Sequence, residues 1–258
     1  MDFHRLSDQL IDWLCDYSQQ SNTKGFVVGV SGGIDSAVVA TLCAKTGLPT
    51  WLVQLPIHQA TEENTRGAQQ IHQLQSQHPK NVYALTTDLS VAFDIFTAAL
   101  PQEARFPLNL ANLRSRLRMC ALYAIAGQHN ALVVGTGNKV EDFGVGFFTK
   151  YGDGGVDISP IADLYKSEVF ALGQHLGVIP DILVAAPTDG LFAGSPTDEE
   201  QLGATYDELE WAMRDANPAD YSHFSERQKI VWNIYQERHR KNQHKMNPIP
   251  VFIIPRGK

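Results

Sequence analysis

Lys24-Gly25-Phe26-Val27-Val28-Gly29-Val30 runs directly into Ser31-Gly32-Gly33-Ile34-Asp35-Ser36. After Lys24 the run is apolar, rich in β-branched side chains and punctuated by glycine, the pattern of a short strand buried on both faces. Residues 35–45 then supply Ala37, Val38, Ala40, Thr41 and Ala44 as packing positions of a helix, and Gly47 with Pro49 stops it. Strand, glycine turn and helix in that order open a parallel β-α-β unit. In an open parallel sheet ligands bind beyond the carboxyl ends of the strands, so the turn 31–36 is the first place to look for a site.

The same alternation continues outward. Residues 50–55 (TWLVQL), 81–86 (NVYALT) and 131–135 (ALVVG) read as further strands, and 61–75, 89–99 and 108–127 as the helices between them. An amphipathic helix over residues 1–14 precedes the first strand. Residues 163–175, 197–214 and 226–241 read as later helices packed on the sheet's edge or on a partner chain. With no internal repeat and no divisive linker, residues 1–258 are expected to form one α/β domain, a parallel sheet with helices on both faces.

Composition narrows the function classes. Hydrophobic residues make up 43% of the 258 and charged residues 19%, ordinary for a globular enzyme. No run approaches the roughly 20 apolar residues that span a bilayer, and the N-terminal segment lacks a signal core, so a cytoplasmic protein with no membrane partner is expected. A net charge of −7 argues against a general nucleic-acid surface. Cys15, Cys43 and Cys120 are widely separated, with no CxxC, and read as small buried hydrophobes on helices.

The turn itself is built for phosphate. Gly32 and Gly33 let backbone N–H groups approach an anion, Ser31 and Ser36 add hydroxyls, and the following helix directs its positive end at the same point. No Gly-Lys-Ser/Thr follows and the GxGxxG spacing fails, so it is neither of the two common nucleotide loops. Asp35 at the helix start would repel phosphate unless a cation stood between them. A Mg²⁺ ligand is its natural role, with a plain helix cap as the alternative. A second informative stretch, GTGNKVEDFGVGFFTKYGDGGVD at 135–157, leaves the fourth strand on the same rim. Exposing Phe147, Phe148 and Tyr151 together would be costly, so this loop is expected to fold over a ligand or another subunit.

Ser-Gly-Gly-Ile-Asp-Ser after an apolar strand resembles the pyrophosphate loop of the ATP pyrophosphatases with an adenine-nucleotide α-hydrolase-like fold. These cleave ATP between the α- and β-phosphates to activate a carboxylate or carbonyl. Phe147-Phe148-Thr149-Lys150-Tyr151-Gly152-Asp153-Gly154-Gly155 resembles the signature of one member, the ammonia-dependent NAD synthetase family, over nearly the whole chain. That resemblance implies a Rossmann-like five-stranded parallel sheet with extra C-terminal helices, in a homodimer holding substrate at its interface. The implied reaction is amidation of deamido-NAD by ammonia through an adenylylated intermediate, with ATP as co-substrate and Mg²⁺ as cofactor.

Residue by residue, the resemblance implies an ATP cradle of Gly29, Val30, Ser31, Gly32, Gly33, Ile34, Asp35 and Ser36 with Thr136, Lys166 and Thr188. It implies Arg116, Lys150, Asp157, His244 and Lys245 as acceptor-binding residues, and Asp35 and Glu141 as metal ligands. The resemblance further implies Asp35, Lys150, Asp157 and Lys166 as the catalytic residues, with Asp157 expected to orient ammonia or accept its proton. The chain has no room for a glutaminase domain, so free ammonia or a separate supplier is expected. At 135–141 the sequence follows the GTGNKxE rather than the GTDHAAE pattern. Two rivals stay open: the same chemistry on nicotinate mononucleotide, to be decided by segments 56–65 and 186–195, and a tRNA-modifying ATP pyrophosphatase, disfavoured by the net charge and by cysteines placed inside helices.

Overall fold

Phe26, Val27 and Val28 are fully buried in the first strand, β1 (Phe26–Gly29), the centre of the sheet. The computed structural model describes residues 1–59, 61–188 and 197–255. β1 pairs in parallel with β2 (Thr50–Gln54) on one side and β4 (Leu132–Val133) on the other, and β2 pairs in parallel with β3 (Val82–Thr86). The order is therefore β3-β2-β1-β4. The chain turns outward in opposite directions from β1, which opens a crevice between the loops after β1 and β4.

Four strands are formed among the described residues where five were expected. The fifth position is held by one parallel bridge, Val134 to Ile158, flanked by bonds from Asp157 N to Val133 O at 2.9 Å and from Gly135 N to Ile158 O at 2.7 Å. Pro160, two residues on, has no N–H with which to extend that ladder, and Gly154-Gly155 precede it.

The helix after β1, α2 (Ile34–Lys45), buries ten of its twelve residues, which is why its sequence is small and apolar all round. It lies between the sheet and two further helices, α1 (Phe3–Gln20) and α6 (Lys166–Leu176). α1 is longer than the expected 1–14 and α6 starts at Lys166 rather than 163. Tyr165 and Glu168 form a capping box there. α3 (Thr61–Gln77) packs on β2 and β3 from the α2 side, where Gln70 donates to Thr41 of α2, and on the other face α5 (Pro107–His129) covers β1 and β4. α4 (Ser90–Ala99) buries only Phe93. Among the described residues no helix is long and apolar enough to cross a membrane.

The expected helix 197–214 is two helices, α8 (Asp198–Leu202) and α9 (Tyr206–Arg214). Gly203 adopts φ +80°, a left-handed conformation that ends α8, and Thr205 caps α9 anew. Nor do these helices rest on the sheet's edge. With α10 (Glu226–Met246) they close a separate core of Val140, Val145, Leu209, Ala212 and Val231 around the loop after β4. All three cysteines lie in helices; Cys43 is buried and Cys15 partly so, but Cys120 faces solvent, contrary to expectation.

Candidate active site

The turn after β1 is fixed before any ligand arrives. Gly32 sits at φ +87°, where a side chain would be strained. Ser36 Oγ accepts from Ser31 N and donates to Gly33 O, Ser31 Oγ accepts from Gly33 N, and the two hydroxyl oxygens are 3.1 Å apart. Arg66 of α3, not foreseen from sequence, donates to Gly32 O at 3.3 Å. Gly33 stands at the N-cap of α2, so Asp35 does not cap the helix and its carboxylate is left for other partners.

Those partners come from the loop after β4, where residues Val140–Val145 form one short π-helix. The i→i+5 turn is wider than an α-helical one, and single π turns recur at functional sites. Asn138, with no exposed surface, accepts from Val140 N and Glu141 N through Oδ1 and donates to Asp35 Oδ1 at 3.1 Å. It thereby starts the π-helix and ties it to α2. A Cβ on Gly137 would lie 2.1 Å from Asp142 Oδ2, so any side chain there has to displace the Asp142 carboxylate.

Lys166, the first residue of α6, is 3% exposed. Its Nζ lies 2.5 Å from Asp35 Oδ2 and 2.9 Å from Glu141 Oε1. Burial opposes its charge, but the two carboxylates and their hydrogen bonds outweigh that and hold its pKa above the ordinary lysine value. Burial raises Asp35, while for Glu141 the Lys166 charge and the Tyr206 hydrogen bond overcome burial and lower it. Tyr206 of α9 donates to Glu141 Oε1 at 2.6 Å and lies under the Lys166 ammonium, 4.8 Å from its ring centre. Burial and then the charges of Glu141 and Asp198 raise the phenol strongly, so it stays a donor. No spacing rule pointed to Tyr206, which lies 65 residues from its partner.

Asp35, Glu141 and Lys166 open onto one cavity of about 260 Å³. Every residue of the expected ATP cradle lines it, 29–36 with Thr136, Lys166 and Thr188, together with Glu141. Arg66, Arg118, Asp142 and Asp153 are wall residues that the sequence reading did not assign. Burial, and then the neighbouring Glu141 charge, push Asp142 well up. Among the described residues no three of His, Cys, Asp and Glu converge to hold a metal. Two carboxylates completed by substrate phosphates is nonetheless the donor set that Mg²⁺ accepts, so Asp35 and Glu141 fit it.

The expected acceptor-binding residues lie elsewhere. Arg116, Lys150, Asp157, His244 and Lys245 are absent from the cavity wall. Arg116 donates to Lys150 O at 3.3 Å and Lys150 Nζ to His244 O at 2.6 Å, which links α5, the aromatic loop and α10. Lys245 Nζ donates to Phe148 O at 2.6 Å and to Gly146 O, and lines a second cavity of about 650 Å³. Asp157 accepts from Val133 N and from Tyr123, whose phenol burial and the Asp157 hydrogen bond push up to about 12. Phe147 and Phe148 are half-buried and Tyr151 is exposed. Of segments 56–65 and 186–195, residues 60 and 189–195 lie outside the described residues.

Comparison with known proteins agrees with this geometry. The NAD synthase family pattern matches residues 6–249. The chain is 37% identical over 242 residues to an NH3-dependent NAD(+) synthetase of Mycoplasma genitalium, covering 93% of this chain and 91% of that one. Among solved structures it resembles an NMN synthetase from Francisella tularensis with a TM-score of 0.87 and 35% identity, over 98% of this chain and 100% of that one. An NH3-dependent NAD synthetase from Campylobacter jejuni, in complex with nitrate, superposes with a TM-score of 0.73 at 26% identity, again over 98% and 100%.

Proposed function

The chain belongs to the NAD synthase family, and from that premise we propose that it amidates the nicotinate carboxylate of deamido-NAD with ammonia, using ATP and releasing AMP and pyrophosphate. The observation that carries this reading is the convergence of two loops on one cavity, with Lys166 Nζ between Asp35 and Glu141.

A carboxylate is a poor acyl donor, so an acceptor oxygen first attacks the α-phosphorus of ATP and the bond to pyrophosphate breaks. Amides of the turn 31–36 and the N-terminus of α2 receive the phosphates. Lys166, charged and buried, stabilises the departing pyrophosphate once phosphate competes with its carboxylate partners. Asp35 and Glu141 would hold the Mg²⁺ that accompanies ATP, which neutralises phosphate charge. Tyr206 and Asn138 orient those two carboxylates. Ammonia then attacks the acyl carbon, AMP leaves, and the surplus proton goes to Asp157 or to water. No covalent enzyme intermediate is needed, and most of the gain comes from holding two anionic substrates together.

Arg116, Lys150, Asp157, His244 and Lys245 are read as acceptor contacts. Their position off the ATP cavity suits a homodimer whose interface completes the acceptor site. Residues 1–258 act as one unit, in the cytoplasm, with neither nucleic acid nor membrane as partner. Pyrophosphate release measured with ATP, ammonium and either the dinucleotide or the mononucleotide acid tests the substrate. Faster turnover of the mononucleotide would replace this reading with the second one, amidation of nicotinate mononucleotide, which the likeness to the Francisella tularensis enzyme favours.

A further inference from the structure

The C-terminal segment 248–255 follows α10 and is apolar almost throughout. Ile249, Val251, Phe252, Ile253 and Ile254 are each 65–84% exposed. Proline at 248, 250 and 255 keeps the segment extended and denies it a helix of its own. An isolated exposed leucine needs no explanation, but five large apolar side chains within six residues do.

A second apolar surface lies on α4 and the start of α5. Val91, Ile95, Phe96, Phe106 and Leu108 are 48–70% exposed there, although α4 buries Phe93 beneath them. The two surfaces adjoin, because Leu108 and Lys245 line the same cavity, so the tail leaves α10 at the rim of the α4–α5 face. Together these ten side chains present roughly 1,000 Å² of apolar area, against about 800 Å² per partner in a stable interface.

We propose that residues 248–255 form an arm that crosses to a second copy of this chain and covers its α4–α5 face, the exchange being reciprocal about a two-fold axis. Two arms and two faces bury each other in one closed arrangement, which leaves no apolar surface to propagate. The arm begins three residues past Lys245, so docking it also fixes the last turn of α10, where Lys150 is bonded to His244 O. The inference deepens the homodimer reading and rests on it.

Sedimentation equilibrium on the full chain, on a chain ended after Asn247, and on Phe252→Asp/Ile253→Asp tests it. A dimer whose dissociation constant rises at least tenfold in both variants is the expected result. A dimer equally tight in all three overturns the arm and leaves the homodimer standing, whereas a monomeric full chain overturns both. The substituted positions are solvent-exposed, so unchanged circular dichroism is expected. A photo-crosslinking phenylalanine at position 252, in mixed light- and heavy-isotope protein, must join peptides of 91–108 from a different copy. Crosslinks confined to the same chain refute the exchange.

Discussion

Lys166→Met removes the cation that, among the described residues, bridges the carboxylates of Asp35 and Glu141, while keeping most of the side-chain volume. In the wild type the ammonium is 2.5 Å from Asp35 and 2.9 Å from Glu141, whose side chains are only 17% and 15% exposed. Leaving a buried charge without its partner costs about 3–5 kcal/mol. For a chain of this size that lowers the melting temperature by about 6–10 °C. The two carboxylates, freed of lysine, then attract a divalent cation, and a cation that binds only the folded state stabilises it by mass action. Thermal unfolding followed by circular dichroism, in EDTA and in millimolar Mg²⁺, is therefore expected to show a large deficit in EDTA that Mg²⁺ recovers by half or more. The wild type, with Lys166 already in place, is expected to gain much less from the ion. A variant within 2 °C of wild type in EDTA, or an equal Mg²⁺ response in both proteins, would refute the counter-ion role derived from the geometry.

Three further perturbations follow from the same contacts. Tyr206→Phe deletes the 2.6 Å donor to Glu141, and a hydrogen bond to a charged group contributes about 1.5–3 kcal/mol. Turnover is expected to fall with the ATP KM raised, and unchanged steady-state constants would show that Glu141 needs no such support. Gly137→Ala forces a methyl into the Asp142 carboxylate, an overpacking worth about 1–3 kcal/mol, read as a lower melting temperature and weaker ATP binding by calorimetry. The hydrogen bond from Arg227 holds Glu208 below the usual carboxylate range. A depressed pKa contributes stability above the unfolded value, lost as pH falls through the folded one. Arg227→Met is therefore expected to melt slightly earlier at pH 7, with a gap that closes on acidification; a gap that widens would show the sign to be wrong.

What the sequence revealed divides along the distance over which its signals act. The strand 24–30, the glycine turn and α2 were legible because propensity, burial and turn chemistry all operate within about twenty residues. The turn's geometry was legible too, since glycine-permitted dihedrals and a helix N-terminus need no remote partner. The split between α8 and α9 was hidden in a continuous polar-apolar pattern, although Gly203 followed by Thr205 carried the signal for a stop and a new cap. Tyr206, Arg66 and Asn138 were invisible as site residues, because their roles are defined by partners 65, 34 and 103 residues away. The shortened fifth strand shows tertiary context overriding a pattern, with one bridge at Ile158 doing the work of a ladder.

On the proposed function, the separation of the two residue groups follows from the charges they would handle. ATP and a nicotinate nucleotide repel each other, and this chain carries net charge −7, so each substrate needs its own local cations. Lys166, Arg66 and Arg118 line the cavity after β1 and β4, while Arg116 of α5 and Lys150 of the aromatic loop are absent from its wall. In the first set Lys166 is buried between two carboxylates, and Arg66 and Arg118 are partly buried against backbone carbonyls. The second set spends its hydrogen bonds on backbone carbonyls, Arg116 on Lys150 O and Lys150 on His244 O, and those bonds can be exchanged for phosphate oxygens at little cost. Under the proposed homodimer, a second copy closing over this surface would supply the excluded-water environment that makes these cations effective toward an acceptor. If the full chain turned over acceptor at the same specific rate at concentrations well below and well above its dimer dissociation constant, that dependence on a second copy would be wrong.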